Sequence, residues 1–197
     1  VPSEMAPLAE PLTIALHALH RAQLKAGEHV VIIGAGAIGL MAALSALRYH
    51  ATPILVDIVD ERLQYAQSLG VPYVVNSAKA NVVEAVKDIT QGTMAQVVVE
   101  ASGANSAIRS TLDLASFAGR IAYTGWPKQE TSLPTNLITF KELDLRGSRT
   151  SAGEFEEALQ MLSTLNINPA DIVSKVVTID EVPEAVKELD QFPERHL

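Results

Sequence analysis

The sequence predicts an α/β domain, a doubly wound parallel sheet with helices on both faces. Three observations carry the prediction. Short, continuous apolar runs rich in β-branched residues recur along the chain, amphipathic helical patterns separate them, and a glycine-rich turn joins the first run to the helix after it. Strict alternation of strand and helix implies right-handed crossovers, and these leave a parallel sheet covered on both sides.

Taken in order, Glu10-Pro11 followed by Ile14, Leu16, His17, Leu19, His20 and Leu24 reads as an amphipathic helix with Pro11 in its first turn, stopping near Ala26-Gly27. His29 to Ile33 is a strand buried on both faces. Pro53 to Val56, a weaker run from Tyr73 to Val75, Gln96 to Val99 and Arg120 to Tyr123 continue the series. Helical patterns lie between them at Ile38 to Arg48, Glu61 to Leu69, Val82 to Ile89 and Asn105 to Leu114. After Tyr123 the alternation loosens into a loop with Gly125, Pro127 and Pro134, and Leu143 to Gly147 reads as an edge strand. Ser151 to Glu154 has capping-box spacing before Phe155, Ala158, Leu159 and Leu162. Ile172 to Ile179 alternates as a half-buried strand, and Pro183 opens a last helix through Leu189.

Composition narrows the function classes. The 197 residues include 23 acidic against 15 basic side chains, for a net charge of −8, and no Cys. An apolar fraction of 48% with 19% charged residues supports a packed core and argues against disorder. The acidic balance, without a Lys/Arg cluster, argues against nucleic-acid and anionic-membrane partners. The longest apolar stretch, Val30 to Leu47, is broken by Gly34, Gly36, Gly39 and Ser45 and is no membrane span. Without Cys there is neither a disulfide framework nor a thiolate metal site in these residues, so a cytoplasmic home is expected. The start does not resemble a signal peptide, and Val1 in place of Met reads as a processed form or a fragment.

Gly34-Ala35-Gly36-Ala37-Ile38-Gly39 carries G-x-G-x-x-G at the end of a buried strand and the mouth of a helix. In that setting Gly34 permits a tight turn, Gly36 lets the backbone approach a pyrophosphate, and Gly39 allows close helix-to-strand packing. The helix N-terminus offers N–H groups and partial positive charge to the phosphates. A tight βα turn that uses glycine for packing alone is the plainer reading. Asp57 ends the next strand 18 residues beyond Gly39, where a carboxylate can accept from two ribose hydroxyls and repel a 2′-phosphate, which predicts NAD(H) over NADP(H). The competing reading makes Asp57 a helix N-cap. Arg62 is read as lying over the adenosine. His17 and His20, at i and i+3, could chelate a metal, but packing or solvation is the commoner fate of such residues. A short-chain dehydrogenase would need Tyr-x-x-x-Lys, and none of the four tyrosines is followed by Lys at that spacing. G-x-S-x-G is absent, and the third glycine together with Asp57 favours a dinucleotide over a methyltransferase cofactor.

Ala9-Glu10-Pro11-Leu12 with Ala15, His17 and Ala18, then Gly34 to Leu40, Asp57 with Arg62-Leu63 and Ala66, Val99 to Gly103, and Gly147-Ser148-Arg149 together resemble the zinc-dependent medium-chain dehydrogenases. The resemblance is strongest to the polyol, threonine and sugar-acid branch and covers essentially the whole chain. Ala37 stands where relatives usually have Pro. The resemblance implies a Rossmann coenzyme domain over residues 26–197, with residues 1–25 a linking helix toward a GroES-like catalytic domain that supplies Cys and His to zinc. It also implies that Phe192 to Leu197 marks the return to that domain. Glu10 matches a carboxylate near the catalytic zinc. Ile38 matches the pyrophosphate turn, Ala101-Ser102-Gly103 a loop approaching the coenzyme, and Thr124, Gly125 and Trp126 the stretch facing the nicotinamide carboxamide. Trp126 replaces the usual aliphatic residue there. Arg149 matches a basic residue on the coenzyme or substrate side of the cleft. Expected are hydride transfer with a small-molecule alcohol, zinc in the full-length enzyme, and a homo-oligomer joined through edge strands at Leu143 to Gly147 or Ile172 to Ile179. A stand-alone dinucleotide-binding or redox-sensing module without catalysis would carry the same cofactor motifs.

Overall fold

The computed structural model describes residues 1, 3, 5–164, 172–173 and 175–191. Its strands are β1 (His29–Ile33), β2 (Thr52–Asp57), β3 (Tyr73–Asn76), β4 (Ala95–Glu100), β5 (Ala115–Tyr123) and β6 (Asp144–Gly147). Its α-helices are α1 (Ala9–Arg21), α2 (Ala37–Arg48), α3 (Asp60–Ser68), α4 (Val82–Ile89), α5 (Asn105–Leu114), α6 (Thr135–Lys141), α7 (Phe155–Thr164) and α8 (Val182–Gln191). Every strand pairing is parallel, and the order is β3-β2-β1-β4-β5-β6. The direction of winding reverses between β1 and β4, and this switch opens a crevice at the carboxyl ends of the strands.

Alternate side chains along each strand feed two cores, as the two-residue period of a pleated strand requires. Val30, Ile32, Leu55, Val97 and Val99 point to one face, where Leu12, Leu16 and Leu19 of α1, Leu40 and Met41 of α2, Leu63 of α3 and Leu162 of α7 cover them. Val31, Ile33, Ile54, Val56, Val98 and Ile121 point to the other, against Val86 of α4 and Leu112 of α5. Burying each such side chain contributes about 1.5–3 kcal/mol. Helix α1 belongs to the first layer, since Leu12, Leu16 and Leu19 are essentially inaccessible to solvent. Lys141 secures the C-terminus of α5 by donating to the carbonyls of Leu112 (2.8 Å), Asp113 (3.2 Å) and Ala115 (2.8 Å).

The structure departs from the sequence reading in several places, and α6 stands in the stretch read as a loop. β5 begins at Ala115, five residues earlier than expected, because the ladder skips: Ala95 pairs with Ala115, then Val97 with Arg120. The intervening residues bulge, with Ala118 at φ +52° and Phe117 exposed. The strand expected at Ile172 to Ile179 is absent from the described residues. Residues 175–178 join no ladder, and Ile179–Glu181 is a 3₁₀ turn. Here a local bond wins over period-two alternation, because the Glu181 carboxylate accepts from the Thr178 N–H (2.8 Å) and hydroxyl (2.7 Å) and starts a helical segment. The capping box expected at Ser151 to Glu154 also fails, since the Glu154 carboxylate is engaged elsewhere. The return segment expected at Phe192 to Leu197 lies outside the described residues.

The fit of α2 onto β1 depends on Gly39. A Cβ there would stand 1.7 Å from the Gly34 carbonyl oxygen, whereas a Cβ on Gly36 would meet nothing within 4 Å. Gly39→Ala is therefore expected to destabilise the fold by about 3 kcal/mol or more, and Gly36→Ala by no more than about 0.5 kcal/mol. Urea unfolding of both variants measures the contrast; equal stability would show that α2 can ride away from the turn at no cost.

Candidate functional site

The crevice at the switch point is built around the turn from β1 into α2. Gly34 adopts φ +105°, and its N–H donates to the Val56 carbonyl (2.7 Å), which bends the chain across the end of β2. Gly36 is the N-cap of α2, with no side chain capping the helix, and the first intrahelical bond runs from Leu40 N–H to Gly36 O (2.9 Å). The N–H groups of Ala37, Ile38 and Gly39 precede that bond, so they form the donor end of a twelve-residue helix. Above them the space beside Gly36 is open.

On one side of the turn lies a cavity of about 430 Å³, lined among others by Gly34, Asp57, Ile58, Ser77, Ser102 and Ala107. Asp57 Oδ1 accepts from the N–H groups of Ile58 (2.7 Å) and Val59 (2.9 Å), and Oδ2 from Ala35 N–H (2.6 Å). The carboxylate thus holds the entry to α3 and ties the glycine turn to β2. The capping role weighed from sequence is real, and it coexists with a position on the cavity wall. Arg62, on α3, is not among the residues lining this cavity.

A second cavity, of about 490 Å³, lies on the other side of the turn. Ile14, Ile38, Tyr123 to Trp126 and Gly147 to Thr150 line it. Arg149 lies over the Trp126 ring with its guanidinium carbon 5.8 Å from the centroid, and Trp126 is 79% exposed. The Ser148 hydroxyl is buried and has no hydrogen-bond partner among the described residues. Burial pushes the Tyr123 phenol up from its ordinary value, the nearby charge of Glu100 adds to this, and a bond with Thr111 (2.8 Å) opposes it.

A residue that sequence reading quoted without a role holds both cavities in register. Glu100, at the end of β4, is fully buried. Its Oε1 accepts from the Ser102 N–H (2.9 Å) and hydroxyl (2.5 Å) and from Gly103 N–H (3.0 Å). Its backbone carbonyl accepts from Thr124 and Gly125 N–H, both at 2.9 Å. Ala101 N–H bonds to Ile33 O (2.9 Å). The Ala101 to Gly103 loop and the Thr124-Gly125 turn thus spend their N–H groups internally, while Ser102 lines the first cavity and Thr124 and Gly125 the second. Gly103 and Gly125 are obligatory here: a Cβ on Gly125 would fall 2.4 Å from Glu100 Oε2, and one on Gly103 2.9 Å from the Trp126 carbonyl. A buried acid followed by Ser-Gly was the available signal.

Glu10 is exposed in the first turn of α1, one turn before Ile14. His17 and His20 converge on Glu154 Oε1, at 2.8 and 3.4 Å from their Nδ1 atoms. The donor set does not fit a zinc site. The chain has no Cys, and among the described residues no group of three or more His, Cys, Asp or Glu side chains could hold a metal ion. No helix among the described residues is long and apolar enough to cross a membrane.

Comparison with known proteins agrees with this architecture. Residues 37–164 match the family described as zinc-binding dehydrogenase. An uncharacterized zinc-type alcohol dehydrogenase-like protein of Haemophilus influenzae is 62% identical over the whole chain, which spans 58% of that protein. Sorbitol dehydrogenase of Halalkalibacterium halodurans is 31% identical over 94% of the chain and 55% of the relative. Among solved structures, an alcohol dehydrogenase from E. coli CFT073, complexed with the cofactor NADH, superposes with a TM-score of 0.89 at 26% identity, over 100% of this chain and 58% of the other. The chain thus spans little more than half the length of the proteins it matches.

Burial raises the cost of ionising Glu154, but bonds from His17, from the Ala152 and Glu154 N–H groups and from His20 outweigh it and hold the carboxyl at about 2. A depressed folded-state pKa adds stability above the ordinary value of 4.5, and this is lost as pH falls through the folded one. The stability advantage of the native chain over Glu154→Gln is therefore expected to be full above pH 4.5 and to shrink toward about pH 2. Chemical denaturation at a series of acidic pH values reads it; a gap independent of pH would mean that the carboxylate's charge contributes nothing.

Proposed function

This chain belongs to the zinc-binding dehydrogenase family, and from that premise we propose that it is the NAD(H)-binding part of a zinc-dependent oxidoreductase acting on a secondary alcohol. The substrate class is a polyol, threonine or a sugar acid. One observation carries the reading: the donor end of α2 opens beside a bare Gly36, between two cavities at the switch point of the sheet. A diphosphate fits such an opening, because it needs close backbone approach, N–H donors and no bulky side chain. The NADH complexed with the E. coli alcohol dehydrogenase supports the same coenzyme.

In this reading Gly34, Gly36, Ala37, Ile38 and Gly39 receive the diphosphate and Asp57 accepts from the adenosine ribose. Asp57 already receives three N–H bonds, but each carboxylate oxygen has more than one lone pair, so ribose hydroxyls can still be accepted. Arg62 stands near the adenosine end from α3. Ala101, Ser102 and Gly103 approach the coenzyme from the end of β4, Thr124, Gly125 and Trp126 face the nicotinamide carboxamide, and Arg149 contributes positive charge on the coenzyme or substrate side of the cleft. When bound, the coenzyme supplies a hydride acceptor at the nicotinamide ring. Glu10 would lie toward the zinc. The metal and most alcohol contacts belong, in this proposal, to a part of the polypeptide outside these residues.

The outer edge of β6 carries no partner strand among the described residues, which supports a homo-oligomer joined there. The acidic surface speaks against nucleic-acid partners, and the lack of Cys supports a cytoplasmic home. A stand-alone nucleotide-binding module shares every one of these coenzyme features, and turnover of an alcohol by the longer polypeptide separates the two.

Calorimetric titration tests the coenzyme assignment. NADH is expected to bind at least about tenfold more tightly than NADPH, a gap of about 1.4 kcal/mol, because a 2′-phosphate would meet the Asp57 charge. Equal affinities would reduce Asp57 to a cap. Gly36→Val is expected to abolish NADH binding while circular dichroism stays native, since the added carbons enter open space and not the core. Normal binding by a folded Gly36→Val variant would move the diphosphate away from this turn.

A further inference from the structure

The loop between β6 and α7, which carries Ser148, Arg149 and Thr150 along the second cavity, is fastened at both ends to one helix. At its start Arg21 Nε donates to the Gly147 carbonyl (3.0 Å), Arg146 Nη1 donates to the Arg21 carbonyl (2.7 Å), and Ser148 N–H donates to Tyr123 O (2.8 Å). At its end Glu154 meets His17 and His20 of α1 through Oε1 and receives the Ala152 N–H on Oε2 (2.5 Å). Between these anchors the backbone turns sharply, with Thr150 at φ +53° and Gly153 at φ +110°. Within the loop the Thr150 hydroxyl donates to the Arg149 carbonyl (2.8 Å) and the Arg149 guanidinium lies over Trp126, so the two end anchors are what tie this segment to α1.

The anchor is itself braced. Tyr49, at the C-terminus of α2, donates to Glu157 Oε1 (2.5 Å) and lies 3.1 Å from His20 Nε2, and its ring stacks on the His20 imidazole at 6.1 Å. His20 Nε2 also lies 3.4 Å from Glu157 Oε2. The Glu154 side chain is only 8% exposed, and nothing in the described site uses it as a ligand to the crevice: it lines neither cavity. A buried carboxylate costs several kcal/mol to desolvate, and this one recovers that cost through bonds that reach only α1 and its own loop.

We propose that Glu154 is a positioning residue for the nicotinamide end of the crevice, fastening the Ser148 to Gly153 loop, and through it Arg149, to α1. The inference rests on the coenzyme reading above. It assigns a job to the His17–Glu154 contact that neither a metal site nor ordinary packing would give it. Because α1 also carries Ile14 on the wall of the same cavity, the contact ties that wall to the Arg149 loop.

The test compares two ligands on this chain. ADP-ribose has the adenosine and diphosphate of the coenzyme without the nicotinamide, so it does not reach the loop. Glu154→Ala is expected to weaken NADH by at least about fivefold while ADP-ribose stays within about twofold of its original affinity. Glu154→Gln, which keeps an acceptor for the Ala152 N–H, is expected to fall between, and it carries the test where the alanine variant fails to fold. His17→Leu removes the same contact from the α1 side and is expected to add little further to Glu154→Ala in the double variant. Equal weakening of both ligands would overturn the proposal in favour of general destabilisation, and so would unchanged NADH affinity in both Glu154 variants. Failure of the unsubstituted chain to bind either ligand would instead overturn the coenzyme reading and this inference with it.

Discussion

The approach of α2 to β1 at Gly39 and Gly34 is the constraint on which the crevice depends. A parallel strand followed by a helix can pack at many angles, and most would aim the helix N-terminus into solvent. With no side chain on Gly39, the Gly34 carbonyl sits where a Cβ would have to be, so the helix axis drops onto the end of the strand. The donor N–H groups of Ala37 to Gly39 are thereby held over the carboxyl edge of the sheet. Gly36 stays open for an unrelated reason, since its surroundings are empty and it has an ordinary negative φ. One glycine makes the geometry and the other keeps it accessible.

Two buried or half-buried acids then hold the walls of the crevice to this centre. Asp57 connects the turn to β2 and α3 through three backbone N–H groups, and Glu100 connects β4 to the loops after β4 and β5. Each carboxylate gathers N–H groups that would otherwise be orphaned at strand ends, where the ladder stops supplying partners. Charge-assisted bonds to backbone N–H groups are stronger than neutral ones, so they hold loops that have little apolar packing of their own. The same acids take up the N–H groups of Ala35, Ile58, Val59, Ser102 and Gly103, while those at the start of α2 precede its first intrahelical bond.

What was legible from sequence follows from the range of the forces involved. β1, β2 and β4 are buried on both faces, so almost every position is apolar and the run is visible without knowing its neighbours. The glycine turn was legible for the same local reason. The bulge in β5 was not, because its cause is a register skip against β4, a partner twenty residues away in sequence. The alternation from Ile172 to Ile179 misled because period two states that one face is apolar but does not supply a neighbouring strand, and Thr178 with Glu181 offers a closer bond. Glu154 was legible only as a capping residue. Its partners, His17 and His20, lie more than 130 positions away, and spacing along the chain carries no trace of such a contact.

The first helix shows how far a local reading can go. Its apolar stripe announced a buried face, and that face is buried: Leu12, Leu16 and Leu19 sit in the core with α2 and α7. A helix that served only to lead away toward another domain would not need so complete a stripe, nor histidines on the flank that meets α7. Packing into the core fixes its axis, and the bonds from Arg21, His17 and His20 then transmit that fixed axis to β6 and the loop beyond it. Glu10 projects from the end of the same rigid rod, so its position relative to Arg149 is set by the core and not by either surface. A displacement of α1 large enough to move Glu10 would have to break the His17–Glu154 contact or drag the Arg149 loop with it. Apolar packing thus fixes α1 in the core, and one buried carboxylate ties the helix to the loop after β6.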